Sequence, residues 1–342
     1  MARPPSPSGS YGQTTLSLCP QAWDEAGALL VDPPRRQQAE PFRHLSLREL
    51  IAELFERHNA VSGHPDGLSA PPIPPGLALA LLEHPLNQAD AELLRQAADG
   101  LRRDLVGETV TYVVNRNLNS SNVCVLRCGF CAFRRDAGQA GAFWHSFEAL
   151  QARAQEAAQA GATELCIQGG LNPEARLGGS SLAYYQALLR SLAEAAPGLH
   201  LHAFSPQELL FIAEQDQLPL QAVIDGLLEA GLGSVPGTAA EVLTEAVRRQ
   251  LCPEKLSARQ WCAVVLQVHR SGLASTATLM AGHLESQADR AAHLLTLVAL
   301  QQAAWQHQTS GFSEFVLLPF IGAQAPAALR QRVGRDQPDL GA

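Results

Sequence analysis

Apolar and polar residues alternate with two different periods along this chain, and the change of period divides it. Up to about residue 106 the apolar positions, where they are periodic, recur at the three- and four-residue spacing of a helix. Residues 1–40 hold the proline clusters PPSPSGS and VDPPRRQ without such periodicity and are expected to form a mobile N-terminal arm. Residues 41–106 read as a helical preamble. Ser46 to Glu49 is a capping-box pattern ahead of Leu50, Ile51, Leu54 and Phe55 at helical spacing. PPIPPG, from Pro71 to Gly76, is a link, and a last helix runs from Gln88, behind the cap Asn87, to Ala98 and stops at Gly100.

From Gly107 short β-rich runs alternate with amphipathic stretches. The pattern predicts strands at Thr109–Asn115, Glu164–Ile167, His200–Phe204, around Gly233–Val235, at Ser275–Met280 and at Glu314–Leu318. The helices between them include one capped by Ser146 and ending at Gly161, Leu182–Ala195, Ala239–Arg249, one capped by Ser257 and ending at Gly272, and one opened by Ser286. Six strand-then-helix units over residues 107–326 imply an α/β fold with a parallel sheet, because only a crossover helix returns the chain to start another parallel strand. The loops after the strands of such a fold gather at one rim. Residues 327–342, polar and aperiodic, read as a short irregular tail.

Composition narrows the function classes. Apolar residues make up 46% of the 342, enough for a sizeable core, and a formal charge of -8 with no dense basic run argues against a nucleic-acid partner. No stretch has the length of a signal-peptide core or a membrane span, so a cytoplasmic location is expected with no membrane partner. In a reducing compartment seven cysteines are more naturally metal ligands and buried thiols than a disulfide framework.

Three of those cysteines, Cys124, Cys128 and Cys131, stand in a C-x3-C-x2-C spacing with Phe130 just before the third. Three thiolates are one short of a filled tetrahedral set, which leaves a metal position open for chemistry. The competing reading is a structural zinc site completed by His145 or Cys166, although zinc sites usually pair two C-x2-C knuckles. Gln168, Gly169 and Gly170 end the second strand; they are either a plain turn or a place where backbone approaches a bound zwitterion. Glu241 and Arg248, seven apart on the helix after the fourth strand, share a face and are either solvated charges or groups for ribose hydroxyls and a carboxylate. His202, Ser205, His283 and Glu285 sit at the ends of the third and fifth strands. They can be packed polar groups or substrate contacts, with His202 and His283 as candidates for proton transfer. Cys166, Cys252 and Cys262 read as buried structural thiols.

The cysteine loop with Phe130 resembles the signature of radical S-adenosylmethionine (SAM) enzymes, and the six βα units resemble their partial (βα)6 TIM-type barrel. Closer in, NRNLNSSNVCVLRCGFCAFRR, TELCIQGGLNP, HLHAFSPQE, GLGSVPGTAAEVL and SEFVLLPF resemble the FO synthase subunit 2 family over about residues 41–326. The resemblance implies a 4Fe-4S cluster on Cys124, Cys128 and Cys131 with SAM as second cofactor. Phe130 would flank the adenine, Gln168 to Gly170 the methionine end, and Glu241 and Arg248 the ribose and carboxylate. It further implies that a radical made from SAM takes a hydrogen from L-tyrosine, whose 4-hydroxybenzyl group passes to 5-amino-6-(D-ribitylamino)uracil in deazaflavin (coenzyme F-420) biosynthesis. His202, Ser205, His283, Glu285 and Glu314 would serve the substrates, FO synthase subunit 1 would be the functional partner, and an electron donor is required. Two other readings are a futalosine-pathway radical SAM enzyme of menaquinone biosynthesis and a truncated, non-catalytic iron-sulfur protein. Members of that family continue beyond the position of Pro326 with further helices, so an open edge with exposed apolar surface is expected after the sixth strand.

Overall fold

The computed structural model describes residues 18–62 and 73–333. The chain opens with α1 (Pro20–Leu29), α2 (Arg36–Ala39), α3 (Leu47–Ser62), α4 (Pro75–Glu83) and α5 (Gln88–Val106). Six βα units follow: β1 (Asn115–Asn119), α6 (Phe147–Gln159), β2 (Glu164–Gln168), α7 (Ser181–Ala195), β3 (His200–Ala203), α8 (Pro206–Asp216), α9 (Leu220–Glu229), β4 (Ser234–Val235), α10 (Glu245–Leu251), α11 (Ala258–Arg270), β5 (Ala274–Ala281), α12 (Gln287–Gln306) and β6 (Phe312–Pro319), with α13 (Ala327–Val333) last. The strands are all parallel and lie in the order β1-β2-β3-β4-β5-β6. Strictly sequential parallel pairing puts every crossover helix on one face, so the sheet curls into an open partial barrel with the helices outside. The core lies between strands and helices: Leu165, Ile167, Leu188, Leu189, Ile224, Trp261 and Val264 are buried there.

Several sequence expectations are corrected. The arm is not mobile over its whole predicted length, because α1 is docked on the barrel helix α11 and α2 on α4. Ala22 and Ala26 present no bulk on one face of α1, which packs directly against α11. Arg259 of α11 stacks on the Trp23 ring at 4.1 Å and donates to Trp23 O at 2.8 Å, and Arg270 pairs with Glu25. Residues 1–17, and Pro71 and Pro72 of the predicted link, lie outside the described residues. The last preamble helix does not stop at Gly100. It runs to Val106 and ends at Gly107, φ 69°, with Asp99 bonded to Arg102 and Arg103 across the glycine. Three ordinary ion pairs and a capped start outweigh the roughly 1 kcal/mol that glycine costs inside a helix.

The first strand shares only Asn115 with its predicted range. Its partner β2 begins at Glu164, so the ladder starts at Asn115↔Glu164; Val114 still bonds to Thr163, and Thr109–Val113 lie outside the ladder. Val110 and Tyr112 accordingly stand in solvent, 78% and 84% exposed. The tail is helical through Val333, with Leu329 buried beside Met280, Phe320 and Leu251; residues 334–342 lie outside the described residues. At the β6 edge Phe315 and Leu317 are half exposed. No helix among the described residues is long and apolar enough to cross a membrane.

Candidate functional site

The cysteine loop leaves β1 at Asn119 and is held from three sides by backbone contacts. Gly170 N donates to Ser121 O at 2.7 Å and Val125 N to Leu171 O at 3.0 Å, which ties the loop to the end of β2. Gly129 N donates to Leu251 O at 2.9 Å, and Arg127 N to the Glu254 carboxylate at 2.6 Å, which ties it to the turn after α10. Cys124 N donates to Arg135 O and Arg135 N to Asn122 O, which closes the loop on itself. Gly170 is needed for the loop's approach: a Cβ there would lie 2.2 Å from Val123 O. The glycine therefore serves the packing of the cysteine loop itself as well as the cavity it borders.

The result is a cavity of about 240 Å³ at the rim, lined by Cys124, Cys128, Cys131, Phe130, Gln168, Gly169, Gly170, Ser205, Gln207, Glu208, Thr238, Glu241 and Lys255, among others. The three cysteines, the aromatic and the strand-two turn are thus brought together as one surface. Glu241 and Ser205 join them. Arg248 does not, and neither do His202, His283, Glu285 or Glu314.

The helix predicted over Ala239–Arg249 begins only at Glu245, so Glu241 and Arg248 do not share a helix face. Ala239 and Glu241 instead hold left-handed backbone, φ 69° and 48°, in the turn that borders the cavity. Glu241 Oε1 lies 2.5 Å from Lys255 Nζ in a nearly buried pair. Burial alone would lower the Lys255 ammonium, but the Glu241 carboxylate and the neighbouring thiols outweigh it and hold its pKa above the ordinary value. The ammonium also stands 5.3 Å from the centre of the Phe130 ring. Arg248 is buried and spends its guanidinium on the carbonyls of Ala239, Ala240, Val242 and Leu256, which makes it the brace of the strained turn.

Ser205 caps α8, and Glu208 completes the box: its carboxylate accepts from Ser205 N, Ser205 Oγ and Gly169 N. Burial pushes Glu208 up to about 6 against those three bonds. His283 and Glu285 form a closed knot instead of a rim contact. The Glu285 carboxylate accepts from Gly282 N, His283 N and Arg290, and His283 Nε2 lies 3.0 Å from Met280 O. Burial lowers the His283 pKa, more than Glu285 raises it. His202 is buried among the strands, where burial lowers it to about 4, and Glu314 is exposed on β6.

Gln207, Glu208 and Lys255 are cavity residues that sequence reasoning missed. Lys255 carried a signal in composition alone, as the only lysine in a chain that otherwise uses arginine.

A soft, three-thiol donor set suits iron-sulfur ligation. Burial pushes the Cys128 thiol up to about 12 and Cys124 in the same direction; bound iron reverses this, since a coordinated thiol is deprotonated outright. Gln207 supplies a second sign of fit. It is buried, its Oε1 accepts from Leu256 N at 2.8 Å, and its Nε2 has no partner although the side chain borders the cavity.

Residues 118–297, just over half of the chain, match the radical SAM superfamily, and the chain belongs to it. Members of that superfamily use a 4Fe-4S cluster and SAM. More particularly, the chain is 54% identical over 253 residues to a Gloeobacter violaceus protein named 5-amino-6-(D-ribitylamino)uracil–L-tyrosine 4-hydroxyphenyl transferase, covering 74% of this chain and 64% of that one. A Microcystis aeruginosa protein of the same name is 50% identical over 264 residues, covering 77% and 70%. The chain spans 64% of the length of the Gloeobacter relative and of a Synechocystis one. Two solved structures share the fold at low identity. Methylornithine synthase (PylB) has a TM-score of 0.58 at 14% identity over 86% of this chain and 73% of that one. The FeFe-hydrogenase maturase HydG from Carboxydothermus hydrogenoformans has 0.59 at 13% over 87% and 62%.

Proposed function

We propose that this chain carries the radical SAM domain of a 4-hydroxybenzyl transferase acting on L-tyrosine and 5-amino-6-(D-ribitylamino)uracil, in the synthesis of the deazaflavin of coenzyme F-420. The observation that carries the reading is its identity of about half, over three quarters of its length, to relatives bearing that name. It favours this reading over a futalosine-pathway enzyme or a non-catalytic iron-sulfur protein.

Cys124, Cys128 and Cys131 would hold the cluster. When bound, cluster and SAM supply a one-electron cleavage whose radical abstracts hydrogen from the substrate. The chain's own residues set the conditions. The unpartnered Gln207 amide offers a donor to a bound carboxylate or hydroxyl, Lys255 pairs with Glu241 at the cavity wall, and Phe130 supplies an apolar face. Ser205 with its Glu208 partner provides polar groups at the cavity for a ribityl chain and a pyrimidine, while Arg248, His283 and Glu285 act as scaffold and His202 and Glu314 stay outside the cavity. An FO synthase subunit 1 and an electron donor complete the proposal.

Anaerobically reconstituted protein is tested for 5′-deoxyadenosine with and without tyrosine and the ribitylaminouracil, and for the coupled product by mass spectrometry. Tyrosine-dependent cleavage with a coupled product supports the assignment. Cleavage that ignores tyrosine and yields no coupled product overturns it.

A further inference from the structure

We propose that Glu164, His200 and His202 form a second metal site, for a borderline divalent cation of the Zn²⁺ or Fe²⁺ class, at the start of β2 and β3. Parallel pairing puts Glu164 opposite His200 and Cys166 opposite His202, and the period of two along each strand turns Glu164, His200 and His202 to the same face. One ligand atom from each of the three lies within 4.8 Å of the other two. Two imidazoles and one carboxylate are a donor set that binds zinc or iron with positions left open. Zinc bonds of about 2.0–2.1 Å in a tetrahedral array hold ligand atoms roughly 3.4 Å apart, so closure asks for movements of about an ångström. Glu164 is half-buried and His200 exposed, and the exposed side gives the ion an entry path.

The surroundings hold the rings as a built site does. Ser234 Oγ lies 2.7 Å from His200 Nε2 and 2.6 Å from His202 Nδ1, so one hydroxyl from β4 orients both imidazoles. Asn115 Nδ2 of β1 donates to Glu164 Oε1 at 2.5 Å. Gly233 leaves the space in which the His200 ring sits, since a Cβ there would fall 2.5 Å from the ring's Cε1. None of the three residues lines the cysteine cavity, and β2 separates the sites: Glu164 opens the strand and Gln168 closes it, roughly 13 Å further on.

The test uses the full chain, loaded with its cluster under anaerobic conditions, exposed to Zn²⁺, desalted and analysed for zinc and iron. One tightly held zinc per chain is expected, retained when Cys124, Cys128 and Cys131 are all changed to Ser and lost in Glu164→Gln and in His200→Ala. Ser234→Ala should weaken the affinity about 10- to 100-fold, as for loss of a group that orients a ligand. His200 and Glu164 lie toward solvent, so their variants should keep the native circular dichroism; His202→Ala is added where it folds. Zinc that is absent from the variant with Cys124, Cys128 and Cys131 changed to Ser, or unchanged in both Glu164→Gln and His200→Ala, overturns the proposal. Neither result bears on tyrosine-dependent cleavage of SAM, so the two assignments fail separately.

Discussion

At its C-terminal end β2 runs through Gln168 into the turn that braces the cysteine loop, whereas at its N-terminal end Glu164 meets two histidines from another strand. The rim is made of one continuous loop whose ligands are fixed by backbone bonds from three directions. The opposite end is made of single side chains on neighbouring strands, brought together only by register. A loop can be displaced by one misplaced atom beneath it, while a ladder position is secured by the whole sheet. Substitutions at the rim should therefore change iron content and leave zinc alone, and those at the strand starts should do the reverse.

Gly170→Ala is the severest way to test that division. The added Cβ would meet backbone, Val123 O at 2.2 Å and Val123 C at 2.7 Å, and neither can rotate away. We expect the protein to lose most of its iron after reconstitution and about 3 kcal/mol of stability, read from iron analysis and urea unfolding. Full iron content in a folded variant would show that the loop is not held from beneath.

Lys255→Met should come next. It leaves Glu241 nearly buried without its partner, a change that costs about 3 kcal/mol where a charge is fully enclosed and less here, since both side chains keep some contact with solvent. The double variant Lys255→Met with Glu241→Gln should recover much of the loss in the same unfolding measurement. Absence of recovery would mean that Lys255 acts on the thiols and not through Glu241.

These residues also mark what the sequence could and could not convey. The cysteine trio, Phe130 and the strand-two turn are legible because each is a short segment whose spacing carries its meaning, and five of the six strands fall within a few residues of their predicted place. The first strand was misplaced because β-propensity cannot tell that β2 is too short to pair with Thr109–Val113. Arg248 was misread because a helix was assumed across Ala239 and Glu241, whose left-handed backbone is an outcome of packing. The Glu164, His200 and His202 cluster was invisible as a unit, since the register that joins the strands is not written in either strand alone.

The strand-start end should also show itself in acid. His269 on α11 is buried against Phe312, with Nε2 2.9 Å from Ser275 Oγ, and burial lowers its pKa to about 4. A depressed histidine is neutral in both states above about pH 6.5, so it costs nothing there. As pH falls from about 6.5 to 4 the unfolded chain takes up a proton that the native chain refuses, and stability drops by about 1.4 kcal/mol per pH unit. His269→Gln should flatten the unfolding free energy over that window by up to this slope, against a background from His202, which burial lowers to about 4, and His293, which burial lowers to about 3. An unchanged slope would mean that His269 is protonated or solvated in the native state.

The smallest effect is expected at Gln207, where the rim proposal is most exposed to refutation. Its Oε1 is already engaged by Leu256 N, and its Nε2 is a buried donor without a protein partner beside the three thiols. Such a donor is a cost to the folded chain unless something in the cavity accepts from it. Gln207→Glu keeps the shape and the acceptor for Leu256 while replacing the donor with an oxygen. If the donor faces the carboxylate or a hydroxyl of SAM, the affinity for SAM should fall about tenfold, the equivalent of roughly 1.4 kcal/mol, with iron and zinc content unchanged. Unaltered SAM affinity in the variant would leave Gln207 a brace between α8 and the turn joining α10 and α11 and not a residue of the site, and the cavity would then need another donor to account for its ligand.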